Sequence, residues 1–166
     1  MSTTIPLAYR LTFHWAEPLM ATGGAVQALF APQDLLRLEL PSVPYTAAIY
    51  PLFPQHAGAW LMLAFHDAVT LRLYPDDVRV WKLVLGAGIL SDLGYVYSLF
   101  VGMGGAARFL NPGAWSAGEA FTVVTTVVPL AVKVAFELGV GLGEGKGKGK
   151  GKGVGRGKGA GGKKVR

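Results

Sequence analysis

The chain has 166 residues, of which 51 % are hydrophobic, with a mean hydropathy of +0.38 and a formal net charge of +6. That length holds one domain, and the apolar content exceeds the globular norm, so a membrane protein is the first expectation. The absence of cysteine excludes disulfides, thiolate metal sites and cysteine nucleophiles together.

Four stretches approach the length of about 20 mostly apolar residues that crosses a bilayer. They are residues 7–30, 55–73, 80–101 and 115–142. Met1 to Pro6 lacks the basic region of a cleavable signal peptide, so the first stretch is expected to stay attached. Its Arg10, His14, Glu17, Ala21, Gly24 and Ala28 fall at helical spacing on one face, polar at one end and small at the other. Small residues let helices approach closely within a membrane. Pro18 removes a backbone donor and frees the carbonyl of His14, as Pro129 later frees that of Thr125. The loop Ala31 to Pro44 is punctuated by proline, and its Asp34 to Leu40 core predicts a short interfacial helix.

The second stretch opens on Pro51 and Pro54 and carries His56, Trp60, Leu63, Asp67 and Thr70 on one face. Tyr74 to Asp77 reads as a tight turn whose acidic pair would cap the next helix. The third stretch holds Asp92, and Gly102 to Pro112 reads as a flexible return loop. The fourth aligns Glu119, Thr122, Thr126, Pro129, Lys133 and Glu137.

The basic excess belongs to the tail: from Glu144 onward the formal charge is +8, against −2 for residues 1–143. This Gly/Lys segment cannot bury a core and is expected to be disordered. Arg72, Arg79 and Lys82 join it in placing both termini on the cytosolic side of a four-span protein. The expected architecture is all-α, a four-helix transmembrane bundle over residues 1–143 with a disordered tail over 144–166.

Ile5 to Arg10 leading to Glu17-Pro18, then Asp77 to Lys82, then Ser91 to Ser98, resemble the signature stretches of a fungal family of small four-span membrane proteins, a domain of unknown function. The resemblance covers about residues 1–143; it implies the four-span fold and a fungal source, and carries no activity. A looser likeness, of architecture alone, runs to the emopamil-binding and sterol-isomerase type of protein.

A charge at mid-bilayer costs roughly 2.5–3.5 kcal/mol, so ionisable residues inside spans face a bundle interior. The candidate ligand or proton sites are therefore Arg10, His14, Glu17, His66, Asp67, Asp92, Glu119, Lys133 and Glu137. Arg10, His14 and Glu17 could relay a proton or form a self-neutralising structural group. Asp67 and Asp92 have no basic neighbour one turn away, and Lys133 is a candidate partner for either, in competition with Glu137. His66 and Asp67 point roughly 100° apart on a helix and do not suit one metal, so no metal and no cofactor is expected. No P-loop, Rossmann or nucleophile-elbow pattern occurs, and no catalytic residue is assigned.

The expected function is the binding of a lipid or other small hydrophobic ligand. The alternative is a lipid- or sterol-modifying enzyme using Glu17, Asp67, Asp92 or His14, and a small transporter ranks third. Membrane lipids are the expected partners, with anionic headgroups for the tail and nucleic acid disfavoured; self-association is left open. Lys163 and Lys164, third and fourth from the end, match a dilysine retrieval signal read by coat proteins, which would place the protein in the endoplasmic reticulum or a related endomembrane.

Overall fold

The computed structural model describes residues 4–143; the Gly/Lys tail and its KKVR end lie outside the described residues. All the regular structure among these residues is helical, with no strand. Five helices carry the fold: α1 (residues 7–30), α2 (Pro32–Glu39), α3 (residues 52–73), α4 (Val78–Gly102) and α5 (Ala117–Glu137).

Helices α4 and α5 are each long and apolar enough to cross a membrane, with a mean hydropathy of 1.6 over their most apolar stretches. Only 17 % and 33 % of those stretches are buried, so their apolar side chains face outward, unlike those of a soluble protein's core helix. Helices α1 and α3 achieve comparable length by a different route. Each runs from α-helix into a π-helical segment and back, Thr12–Ala16 in α1 and His66–Thr70 in α3, and the two segments lie against each other. The π turn in α1 directly precedes Pro18, whose missing N–H breaks the regular ladder. The carbonyl of His14, one of those that Pro18 leaves without a helical donor, accepts a hydrogen bond from Arg72, and the Arg72 guanidinium stacks 4.4 Å from the Trp15 ring.

The helices pack as two antiparallel pairs, α1 with α3 and α4 with α5. At the end holding the first residues and the α3–α4 turn, both pairs meet in one core of Ile5, Tyr9, Phe13, Leu71, Trp81, Leu85 and Phe136. Towards the other end the core divides. Ala25, Ala28, Leu35 and Ala57 close the first pair, while Leu99, Met103 and Val123 close the second. The small residues of α1 permit the first closure, with Trp60 laid against Gly24. Helix α2 crosses the opening between the pairs and sits directly on α5, where the Leu38 carbonyl would lie 2.5 Å from any Cβ at position 118; Gly118 is therefore required.

Several boundaries differ from the sequence expectation. Helix α3 begins at Leu52 because proline is tolerated in a first helical turn. Helix α5 ends at Glu137, since Gly139 adopts φ 79° and closes a C-terminal turn in which the Val140 N–H reaches the Ala135 carbonyl at 2.9 Å. Gly102 to Pro112 is structured: Ala106–Phe109 forms one helical turn, and the Trp115 indole donates to the Arg108 carbonyl at 3.0 Å. Of the acidic pair in the α3–α4 turn, Asp77 caps α4 through the amides of Arg79 and Val80, whereas Asp76 pairs with Arg10 at 2.6 Å.

Candidate functional site

The division of the core leaves a cavity of about 690 Å³ between the two helix pairs, beneath α2. Its inner end is formed by Glu17, Asp92 and Pro129, and its outer end by Gln27, Leu35, Leu38 and Glu39. Between them the wall carries His56, Trp60, Tyr95 and the threonines of α5.

Lys133 lies under the inner end, 1 % exposed. Its ammonium donates to Glu17 and, at 2.8 Å, to Asp92, thereby joining α1, α4 and α5. Gly88 makes this position available, because a Cβ there would stand 3.1 Å from Lys133 Cε and 3.2 Å from Nζ. Asp67, 4 % exposed, lies within electrostatic range of all three groups but outside ion-pairing distance of the ammonium. The second oxygen of Glu17, Oε2, is buried without a hydrogen-bond partner among the described residues, as is His56 Nε2 on the opposite wall. Unpaired polar atoms of this kind are costly unless water or a ligand satisfies them.

At the outer end, Tyr95 donates its hydroxyl hydrogen to Glu39. Burial pushes the Glu39 carboxyl up to about 7, partly offset by that hydrogen bond. His56 and Tyr95 flank the Trp60 ring, with centroids 4.1 Å and 5.9 Å from it.

The structure separates the other sequence candidates. Arg10, His14 and Glu17 do not form one group, because the π turn intervenes between Leu11 and Glu17 and shifts the angular register. Arg10 holds Asp76 and the carbonyls of Ile5 and Pro75, Glu17 turns to Lys133, and His14 Nε2 is buried beside Trp81. His66 bonds Thr70 within its own helix at 3.1 Å. Glu119 completes a capping box with Ser116 and binds Arg108 at 2.9 Å. Glu137 does not pair with Lys133: Lys82 donates to its backbone carbonyl at 2.7 Å and lies 4.0 Å from its Oε2, and Oε1 has no hydrogen-bond partner among the described residues. Candidate selection overlooked Glu39, His56 and Tyr95. Tyr95 shares a helical face with Ser91 and Ser98, and all three line the cavity, so that spacing was the available signal.

Residues 2–143 match the model of a protein family described as Domain of unknown function (DUF7704). The chain belongs to that family. Neither a curated protein nor a solved structure matches it. The family's extent coincides with the described helices, so the cavity and its acidic end lie wholly within the family domain.

Two outcomes follow from this geometry. Lys133→Met leaves Glu17 and Asp92 buried without their cation and is expected to cost about 3–5 kcal/mol. Adding Glu17→Gln and Asp92→Asn should recover most of that loss, as read by thermal melts in detergent. For Glu39, the folded state holds its proton more tightly than the unfolded chain, so the cost of burying its charge is absent below pH 4.5, grows towards pH 7 and is full above it. Glu39→Gln retains an acceptor for Tyr95 and removes that cost. Its melting temperature should match the wild type at about pH 4 and exceed it increasingly from pH 5 to 8.

Proposed function

We propose that this chain is a four-span integral membrane protein whose cavity holds a lipid or other small amphiphilic molecule. The observation that carries the reading is the cavity itself. Its volume of about 690 Å³ suits a small-molecule ligand, and two of its lining residues, Glu17 and His56, hold buried polar atoms without a hydrogen-bond partner among the described residues.

The membrane setting is supported by the outward faces of all four long helices. Trp15, Leu19 and Phe30 on α1, Met62 and Phe65 on α3, Leu83 and Leu90 on α4, and Phe121 and Val128 on α5 are each more than half exposed, a surface suited to hydrocarbon. The π turns leave α1 and α3 long enough to span, since helical backbone continues through both. Arg72, Arg79 and Lys82 favour a cytosolic α3–α4 turn with both termini on the same side, an orientation in which α2 would lie in the opposite interface.

A lipid- or sterol-modifying activity is the second reading, favoured by one observation: Glu17 lines the cavity and has a carboxyl oxygen without a hydrogen-bond partner among the described residues, a group of the kind that exchanges protons with a bound molecule. Transport ranks below both, since four helices offer little room for alternating access.

Topology and occupancy are separately measurable. Glycosylation acceptors placed in the 31–44 loop or beside Gly104 should be modified, and acceptors after Gly155 should not; a glycosylated tail would overturn the orientation. Native mass spectrometry of the purified protein should show a stoichiometric amphiphile. Substituting Gly24 and Ala21 by Leu, which fills the α1 wall of the cavity, should expel it. An unoccupied wild-type protein would count against ligand binding, and conversion of the retained molecule on incubation would favour the enzyme.

A further inference from the structure

The charge balance of the cavity narrows what it can hold. This step rests on the reading of the cavity as a ligand site.

Two carboxylates, Glu17 and Asp92, share one ammonium at the inner end, and Asp67 lies within electrostatic range of them without lining the cavity. Glu39 adds a fourth acid at the outer end, and among the described residues no lysine or arginine lines the wall. A phosphate or carboxylate headgroup entering here would meet like charge in a low-dielectric setting, which is strongly unfavourable. A cationic group would supply the missing counter-charge. Glu17 and His56 both line this space, and each holds one buried polar atom, Oε2 and Nε2, without a hydrogen-bond partner among the described residues. Trp60 and Tyr95 border the same space with aromatic faces that attract ammonium ions. The carboxylates are not disposed as a metal site, since no metal-holding group of three His, Asp or Glu side chains occurs among the described residues. Met20 on α1 and Phe121 on α5 line the cavity yet are 39 % and 60 % exposed, so its wall on that side reaches the outer surface, which would face hydrocarbon in the proposed membrane setting.

We propose that the ligand is an amphiphile with a protonated amine and no anionic group, entering laterally from the bilayer and seating its amine between Glu17, His56 and the Trp60 and Tyr95 rings. Anionic phospholipids and fatty acids are rejected by the same acids that retain the amine. A water-soluble amine lacks the chain that the apolar opening accommodates.

The test uses the full chain in neutral detergent micelles at neutral pH, with dodecylamine, dodecanol, dodecanoate and butylamine as probes. Binding is read by tryptophan fluorescence and by the shift in melting temperature. Dodecylamine should bind about tenfold or more tightly than dodecanol, as expected for a desolvated ammonium on carboxylate and aromatic groups. Dodecanoate and butylamine should not bind measurably. Glu17→Gln should bring dodecylamine down to the level of dodecanol without changing the latter. If that variant fails to fold, Gln27→Lys places a cation on the wall without touching the Lys133 pairs, and it should weaken dodecylamine while admitting dodecanoate. Equal binding of dodecanol and dodecylamine would overturn the amine assignment and leave the ligand cavity standing. Equal binding of butylamine would overturn the bilayer origin. Binding of none of the probes would overturn both the amine and the cavity as a ligand site.

Discussion

The Lys133 ammonium is the constraint around which the helices are arranged. It is buried beyond the reach of water, and an isolated charge in that position would cost several kcal/mol, so the fold must deliver carboxylates to it. Glu17 and Asp92 come from helices on opposite sides of the division between the two pairs. Satisfying one lysine therefore fixes where α1 stands relative to α4 and α5. Gly88 and the π turn in α1 serve the same end, the first by leaving room for the lysine stem and the second by turning Glu17 towards it.

Closure at one end and separation at the other have a common origin in residue size. Trp81 touches Phe13 and Phe136 at centroid distances of 6.3 Å and 5.5 Å, and this aromatic set fills the space where all four long helices meet. Beyond Glu17 and Asp92, much of the facing wall is Ala, Gly, Ser and Thr, and the larger His56, Trp60 and Tyr95 among them do not bridge the pairs. The gap that results is spanned by α2, held by the Tyr95 hydroxyl on Glu39 and by Ser42 on the Gly102 carbonyl at 3.1 Å. The cavity is thus a consequence of graded packing, with a polar wall because small polar residues cannot fill it.

Much of this was legible in the sequence, and the failures are informative. The inward faces of α1 and α5 follow from helical spacing: Glu17 and Ala28 on α1 and Glu119, Thr122, Pro129 and Lys133 on α5 are buried as the spacing predicts. The short helix after Ala31 was legible from its proline and its alternating pattern. Helical spacing offers Asp67 and Asp92 equally as partners of Lys133, and it groups Glu17 with Arg10 and His14 because it takes residues 12–16 in regular α-helical register. A π turn voids that assumption, and only Pro18 hints at it. The Glu39–Tyr95 bond joins residues 56 apart in the chain, and no local pattern encodes such a pairing. The cavity depends on what is missing between helices, which periodicity does not reveal.

The same cluster ties the proposed ligand site to the packing of the helices. Lys133 pairs with Glu17 and Asp92 together, so one cation serves two carboxylates and holds α1 against α4 and α5. Buried carboxylates are costly unless they are paired, so the cluster favours positive charge over negative in whatever stands beside it. On the proposed reading, the acids that secure the helices are also the acids that would select the ligand, and the packing that holds the fold together also shapes the site.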